Sequence, residues 1–410
     1  MAKLLDRDAC SGCMACYNIC PIKCISVKQD ENGFYIPYIE RSKCLNCGMC
    51  EKVCKKSNGV GSNTHMYGKA FTTNNSETLA KSSSGGAFTA IASIVLYAGG
   101  VVYGAAYDEN FCVRHIRVND FENLTKLNGS KYVQSDLQNC YELVKNDLKA
   151  GRKVLFSGTP CQVAGLVVCL SAQHRKNLLT IDFICHGVPA PKAWDTYLQY
   201  VRETVVGSIE AVNMRDHRLS QENFGLFIVG DKGSYFKSCA NDPYLMAFTN
   251  NLILRKACYH CKYKKIMCHS DITLGDLWGG KDLLPAERYT GHHSLVIANS
   301  AIGATYLKEL SHYGTVEDIP LEKALIVNSS RFYPSTKIIK TSIDDIIYSL
   351  GNGFFEREFA DMKKKEALLS RFKRKITVLI KCFVLNKKRT RLFRWREKNE
   401  SNDCMSMRDQ

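Results

Sequence analysis

Two cysteine runs in the first 54 residues constrain this chain more than any other feature. Cys10-x2-Cys13-x2-Cys16-x3-Cys20-Pro21 recurs 34 residues later as Cys44-x2-Cys47-x2-Cys50-x3-Cys54. A tight loop can give three thiolates to one cubane when they are spaced two apart, and the fourth cysteine of such a run reaches the other cluster. The spacing therefore predicts two [4Fe–4S] clusters, one held by Cys10, Cys13, Cys16 and Cys54 and the other by Cys44, Cys47, Cys50 and Cys20. Paired Cys-x2-Cys steps also bind zinc, but four cysteines in each run fit cubane loops much better. Gly12 and Gly48, each just before a ligand, let the backbone approach the cluster closely. Cys24 reads as a buried thiol, not a ninth ligand, and Lys55 in place of a proline after the second run is expected to leave that cluster more exposed.

The remaining totals support metal chemistry over disulfides. The start of the chain lacks the apolar run of a signal peptide, and no stretch reaches the eighteen or so apolar residues of a membrane span. The chain is therefore expected in the cytoplasm, where thiols stay reduced and 20 cysteines speak for ligation. With 45% hydrophobic and 23% charged residues, 410 residues suffice for two domains. The net charge of +16 is uneven: residues 351–410 hold 17 Lys/Arg against 8 Asp/Glu, which is +9 of the total. In that basic tail, residues 376–385 are mostly apolar and flanked by basic runs. They are too short to span a bilayer, and two readings stay open: peripheral contact with an anionic membrane, or a helical extension packed on the body. No nucleic-acid partner is expected.

Residues 1–60 thus form a dicluster ferredoxin domain, with strands at 25–28 and 35–39 around a turn at 30–33, followed by a Gly/Ser/Asn linker. From 65 to 350 the pattern alternates. An apolar helix at 87–97 has no polar face, paired strands follow at 101–107 and 113–118, and a helix at 137–150 ends at Gly151. Strand 154–156 leads into helix 161–170, strand 178–184 into a helix from 192, and strands recur at 210–236, 271–274 and 295–298. This predicts an α+β/α/β chain: a bacterial-type dicluster ferredoxin fold, then a mixed α/β domain. Cys161 and Cys185 each follow a strand, where open α/β sheets bind ligands. Joined by Cys258 and Cys261, they could hold a third cluster, with Cys268 a rival for the fourth place.

Several segments carry a resemblance: Ser83-Ser84-Gly85-Gly86-Ala87-Phe88-Thr89, Gly129-Ser130-Lys131-Tyr132-Val133-Gln134-Ser135, Gly158-Thr159-Pro160-Cys161-Gln162, Cys185-His186-Gly187, Cys258-x2-Cys261 and residues 271–279. In order and spacing these resemble the family of beta subunits of coenzyme F420 hydrogenases and dehydrogenases. The resemblance implies FAD beside a [4Fe–4S] cluster, and a small substrate, not identified by the sequence, that takes hydride or electrons near the flavin. In that role Ser84, Gly85, Gly86 and Thr89 would open a helix toward the FAD pyrophosphate, and Lys131 would neutralise a phosphate or the flavin pyrimidine edge. There is no G-x-G-x-x-G after a strand, so a Rossmann-type site is not supported. No catalytic residue is assigned, and His186 could serve as a proton donor or as a partner of the Cys185 cluster. The function expected is an iron–sulfur flavoprotein oxidoreductase fed by a ferredoxin-type donor or redox partner protein. The alternative is a non-catalytic electron-relay subunit of a larger complex.

Overall fold

Thirteen strands are found among the described residues, and eight of them build the sheet on which everything else is mounted. The computed structural model describes residues 2–57, 59, 61, 63, 67–220, 223–265, 267–336, 342–355 and 357. The strands are β1 Ile25–Gln29, β2 Tyr35–Ile39, β3 Tyr67–Thr73, β4 Val101–Tyr107, β5 Val113–Val118, β6 Val154–Ser157 and β7 Leu178–Phe183. Then come β8 Ile209–Asp216, β9 Gly225–Gly230, β10 Gly233–Ser238, β11 Ile272–Asp276, β12 Ser294–Ala298 and β13 Gly314–Asp318. The large sheet runs β13-β3-β12-β11-β7-β6-β4-β5. Its centre, β4-β6-β7-β11, is parallel, and antiparallel strands extend it on both sides. Valine, isoleucine and leucine dominate β6 and β7, as expected of strands covered on both faces.

Helix Ala87–Tyr97 covers one face and buries Ile91, Val95 and Leu96 among β4, β6 and β7 residues. Burying those three side chains contributes roughly 6 kcal/mol. The other face is covered by helices Cys140–Lys149 and Pro160–Cys169, and the cysteine-rich segment packs onto that layer through Met14, Tyr17, Val27 and Tyr35. Hairpin β1–β2 closes as the turn residues dictate: Asp30 accepts from the backbone N–H groups of Asn32 and Phe34, and Gly33 adopts φ +81°. Strands β8, β9 and β10 form a separate antiparallel sheet.

Residues up to Asn352 cluster as one compact unit. The basic tail segment 376–385 and its flanks, with the membrane expectation attached to them, lie outside the described residues. No helix among the described residues is long and apolar enough to cross a membrane.

Candidate functional site

The last cysteine of the second run lies near the first run. Burial pushes the Cys16 thiol up, and the charges that add to this are those of Cys13, Cys10 and Cys54. Burial likewise lifts Cys54 to about 11, reinforced by Cys13 and Cys10. The first run thus meets the last cysteine of the second. Cys20, Cys44 and Cys50 share an apolar cluster with Cys16, Cys24 and Ile25. Cys24 is buried with its sulfur 3.5 Å from Cys20 Sγ. Gly12 and Gly48 both take left-handed backbone, φ +73° and +71°, as closely wrapped loops require. Thiols that are partly or fully buried near one another, as Cys13, Cys16 and Cys54 are, repel as thiolates, and a polycationic iron core would remove that conflict, so the donor sets fit cubanes. A single ion would need a tighter group, and none of three or more such ligands is drawn that close among the described residues.

The two sides differ in exposure. Cys13 and Cys16 are buried, and Cys13 shares an apolar cluster with Cys161, Val168 and Cys169 of helix Pro160–Cys169. Cys47 is exposed, as are Leu45 and Met49 around it.

The body cysteines approach one another from three segments. Cys161 stands in the first turn of helix Pro160–Cys169, whose N-terminus is fixed by a capping box between Thr159 and Gln162. The Thr159 hydroxyl lies 3.1 Å from Cys161 Sγ. Burial raises the Cys161 thiol, and Cys185, Cys261 and Cys13 add to the rise. Burial also holds Cys185 near 12, with Cys258 and Cys261 as its thiol neighbours. Cys258 accepts from the Val188 N–H at 3.4 Å. Two buried cations flank the group. Lys264 donates to the carbonyls of His186 and Tyr333, and burial raises the Cys258 thiol to about 11, with the Arg255 and Lys264 charges opposing that rise. Neither cation forms an ion pair with a carboxylate among the described residues, so a negatively charged cluster fits this donor set. Cys268 lies elsewhere, buried beside Ser270, Asp182 and Arg331.

A cavity of about 490 Å³ opens at the carboxyl ends of β6, β7 and β11, the size range of small-molecule sites. Ser84, Gly86, Thr89, Lys131, Cys161 and Cys185 all line it, and Ser11 and Gly12 of the first cysteine loop reach its wall. Gly86 is the N-cap of helix Ala87–Tyr97 at φ +85° with no side-chain cap, leaving the first N–H groups of that helix for a ligand. Lys131 is half-buried, donates to the carbonyls of Asn128 and Gly129, and is held down at about 7 by desolvation. An ammonium held by two carbonyls and standing 5.8 Å from the Tyr107 ring centre, with no carboxylate partner among the described residues, would fit an anionic group such as the FAD diphosphate. Gly85 does not line the cavity. A Cβ there would collide with the Phe71 carbonyl, so its role is the close approach of this segment to β3. The Ser84 hydroxyl donates to His293 O at 2.7 Å, and Thr89 donates to Asn128 Oδ1 at 2.9 Å, which ties the helix start to the Lys131 loop.

His115 and Arg215 gave no signal in the sequence. His115 sits between Ser135 Oγ at 2.6 Å and Ser157 O at 2.9 Å, and burial lowers it to about 4. The neutral ring therefore donates from Nε2 to Ser157 and accepts at Nδ1, pinning the end of β6 beside the cavity. Arg215 pairs with Asp276 at 2.9 Å and lies 4.0 Å from the Phe224 ring centre, fixing the end of β11 next to Trp278. His186 lines the cavity with its Nε2 buried and unpartnered, and burial lowers its pKa.

Residues 151–324 match the family described as the C-terminal part of the coenzyme F420 hydrogenase/dehydrogenase beta subunit, and residues 9–58 match the 4Fe-4S dicluster domain. One subunit of the F(420)H(2) dehydrogenase of Methanosarcina mazei is 23% identical over 288 residues, covering 68% of this chain and 78% of that protein. An uncharacterized ferredoxin of Methanocaldococcus jannaschii is 39% identical over 51 residues, 12% of this chain and 65% of that protein. A chain in a solved structure of the F420-reducing [NiFe] hydrogenase complex from Methanosarcina barkeri aligns at 16% identity with a TM-score of 0.44, covering 75% of this chain and 94% of that one.

Proposed function

The chain belongs to the family of coenzyme F420 hydrogenase/dehydrogenase beta subunits, behind a 4Fe–4S dicluster domain, and from that premise we propose that it is an iron–sulfur flavoprotein oxidoreductase. The observation that carries this reading is convergence. One cavity is faced by an uncapped helix N-terminus, a half-buried lysine, two of the four body cysteines and the first cysteine loop. The N–H groups after Gly86 and the ammonium of Lys131 bind the FAD diphosphate. Cys161, Cys185, Cys258 and Cys261 hold a third cluster beside it. The exposed loop around Cys47 meets the donor, and Cys13, buried against Cys161, forms the inner step toward the cavity. His115 and the Arg215–Asp276 pair keep the strand ends rigid, so that the geometry of the site does not depend on what it holds. When bound, the clusters supply single electrons, which the flavin can deliver as a hydride.

The name of the M. mazei relative supports a deazaflavin of the F420 type as the substrate class. The relay reading has an observation of its own, since the M. mazei relative is by its name one part of a larger dehydrogenase. Stopped-flow reduction of the anaerobically purified, FAD-loaded chain by a reduced ferredoxin separates the readings. Cluster bleaching followed by flavin bleaching, with turnover on a deazaflavin, supports the enzyme. Flavin reduction without turnover by the isolated chain supports the relay. A chain that retains no flavin would sink the flavoprotein reading altogether.

A further inference from the structure

Arg255 is 3% exposed, and no carboxylate among the described residues pairs with it. Its Nε donates to Cys10 O at 2.6 Å, both terminal nitrogens reach Tyr35 O at 3.3 Å, and Nη1 lies 3.4 Å from Gln134 Oε1. Every one of these partners is neutral. Arg215, buried to the same degree, has Asp276 at 2.9 Å. A guanidinium stays charged in proteins, and an interior charge faced only by neutral dipoles is held at a large cost. The position lacks an anion.

The surroundings name that anion. The Arg255 head is inserted into the first cysteine loop: it holds the Cys10 carbonyl, and a Cβ on Gly12 would come within 2.9 Å of its Nη1. Its main chain belongs to the body cysteines, for its N–H donates to Val188 O at 2.8 Å and its carbonyl accepts from the Cys258 N–H at 2.9 Å. One cation therefore stands between two sets of four cysteines. Four thiolates on a cubane leave a net negative charge, and that charge grows by one on reduction.

We propose that Arg255 is the shared counter-charge of the cluster held by Cys10, Cys13, Cys16 and Cys54 and of the cluster held by Cys161, Cys185, Cys258 and Cys261. It stabilises the reduced form of each and so raises both reduction potentials. The part concerning the body cluster rests on the function proposed above, whereas the part concerning the first loop needs only the dicluster domain. The Cys44 side makes no contact with Arg255 and serves as an internal reference.

The test is a redox titration of the anaerobically purified full chain, followed by electron paramagnetic resonance. In Arg255→Gln the first-loop midpoint moves to more negative potential while that of the Cys44-side cluster stays in place. Arg255→Lys keeps the charge and recovers most of the shift. Gln134→Glu leaves the arginine but supplies the missing carboxylate 3.4 Å away, and it also lowers the first-loop midpoint. That variant decides the question if Arg255→Gln sheds iron. An unchanged first-loop midpoint in Gln134→Glu, or equal shifts in both N-terminal clusters, overturns the proposal, because a purely structural arginine changes stability and not a selected potential. A first-loop shift in a chain with only two clusters keeps the assignment for that cluster and removes the third cluster instead.

Discussion

Lys131 gains its chemistry from what surrounds it. Burial holds its pKa near 7 against an ordinary 10.5, so the unfolded chain binds more protons between those values. Without an anion in the cavity, stability rises as pH climbs from 7 toward 10, since the penalty for charging the desolvated amine disappears. A bound diphosphate reverses the preference and draws a proton in. Flavin affinity is expected to weaken above pH 7 by up to about tenfold per unit. Flavin-fluorescence titrations from pH 6 to 9 will show that slope in the wild type and lose it in Lys131→Met; an identical slope in the variant would assign it to another group. Lys131, Thr89 and Gly86 were legible as candidates, because each sits in a short segment that carries the resemblance, and all three line the cavity. Gly85 was legible as a glycine but not in its role, since what it touches, β3, is distant in sequence. Arg255 and Lys264 left no trace in the sequence, because a lysine or arginine that will be buried looks like any other until its neighbours are known.

Helix Pro160–Cys169 joins the two halves of the proposed electron path. Gly165 faces the first cysteine loop, where a Cβ would lie 3.0 Å from Cys13 O and 3.0 Å from the Tyr141 hydroxyl. That hydroxyl sits 2.8 Å from Cys13 O and 2.7 Å from Gln162 O, sharing one proton between loop and helix. Tyr141→Phe is expected to cost about 1–2 kcal/mol and Gly165→Ala about 1–3 kcal/mol. Urea unfolding followed by circular dichroism reads both, and a Gly165→Ala chain as stable as the wild type would show that the loop does not press on this helix. At this scale the sequence was most legible where pattern and length agreed. The apolar helix at 87–97 and the strands at 101–107 and 113–118 stand at the residues expected. Strands β3 and β13 were not legible, because Gly68 breaks the strand pattern of one and both find partners far along the chain. The helix expected at 137–150 begins at Cys140, after Gln138 takes a positive φ of 39°.

Across the whole molecule, two nearly identical cysteine runs acquire opposite surroundings. The first is buried against the body, while Cys47, Leu45 and Met49 of the second are exposed. Nothing in the spacing distinguishes them, since the asymmetry comes from which loop packs on helix Pro160–Cys169. The third group of cysteines was legible only as candidates, because Cys161 and Cys185 are 24 residues apart and both far from Cys258 in the sequence. The central claim is that all three groups serve one electron path ending at a flavin. Iron, sulfide and flavin counts on the anaerobically purified full chain, beside Cys258→Ala, test it most directly. The account predicts about twelve irons and one FAD in the wild type, and about eight irons with both N-terminal clusters retained in the variant. Eight irons in both proteins, or zinc in place of iron, would contradict it.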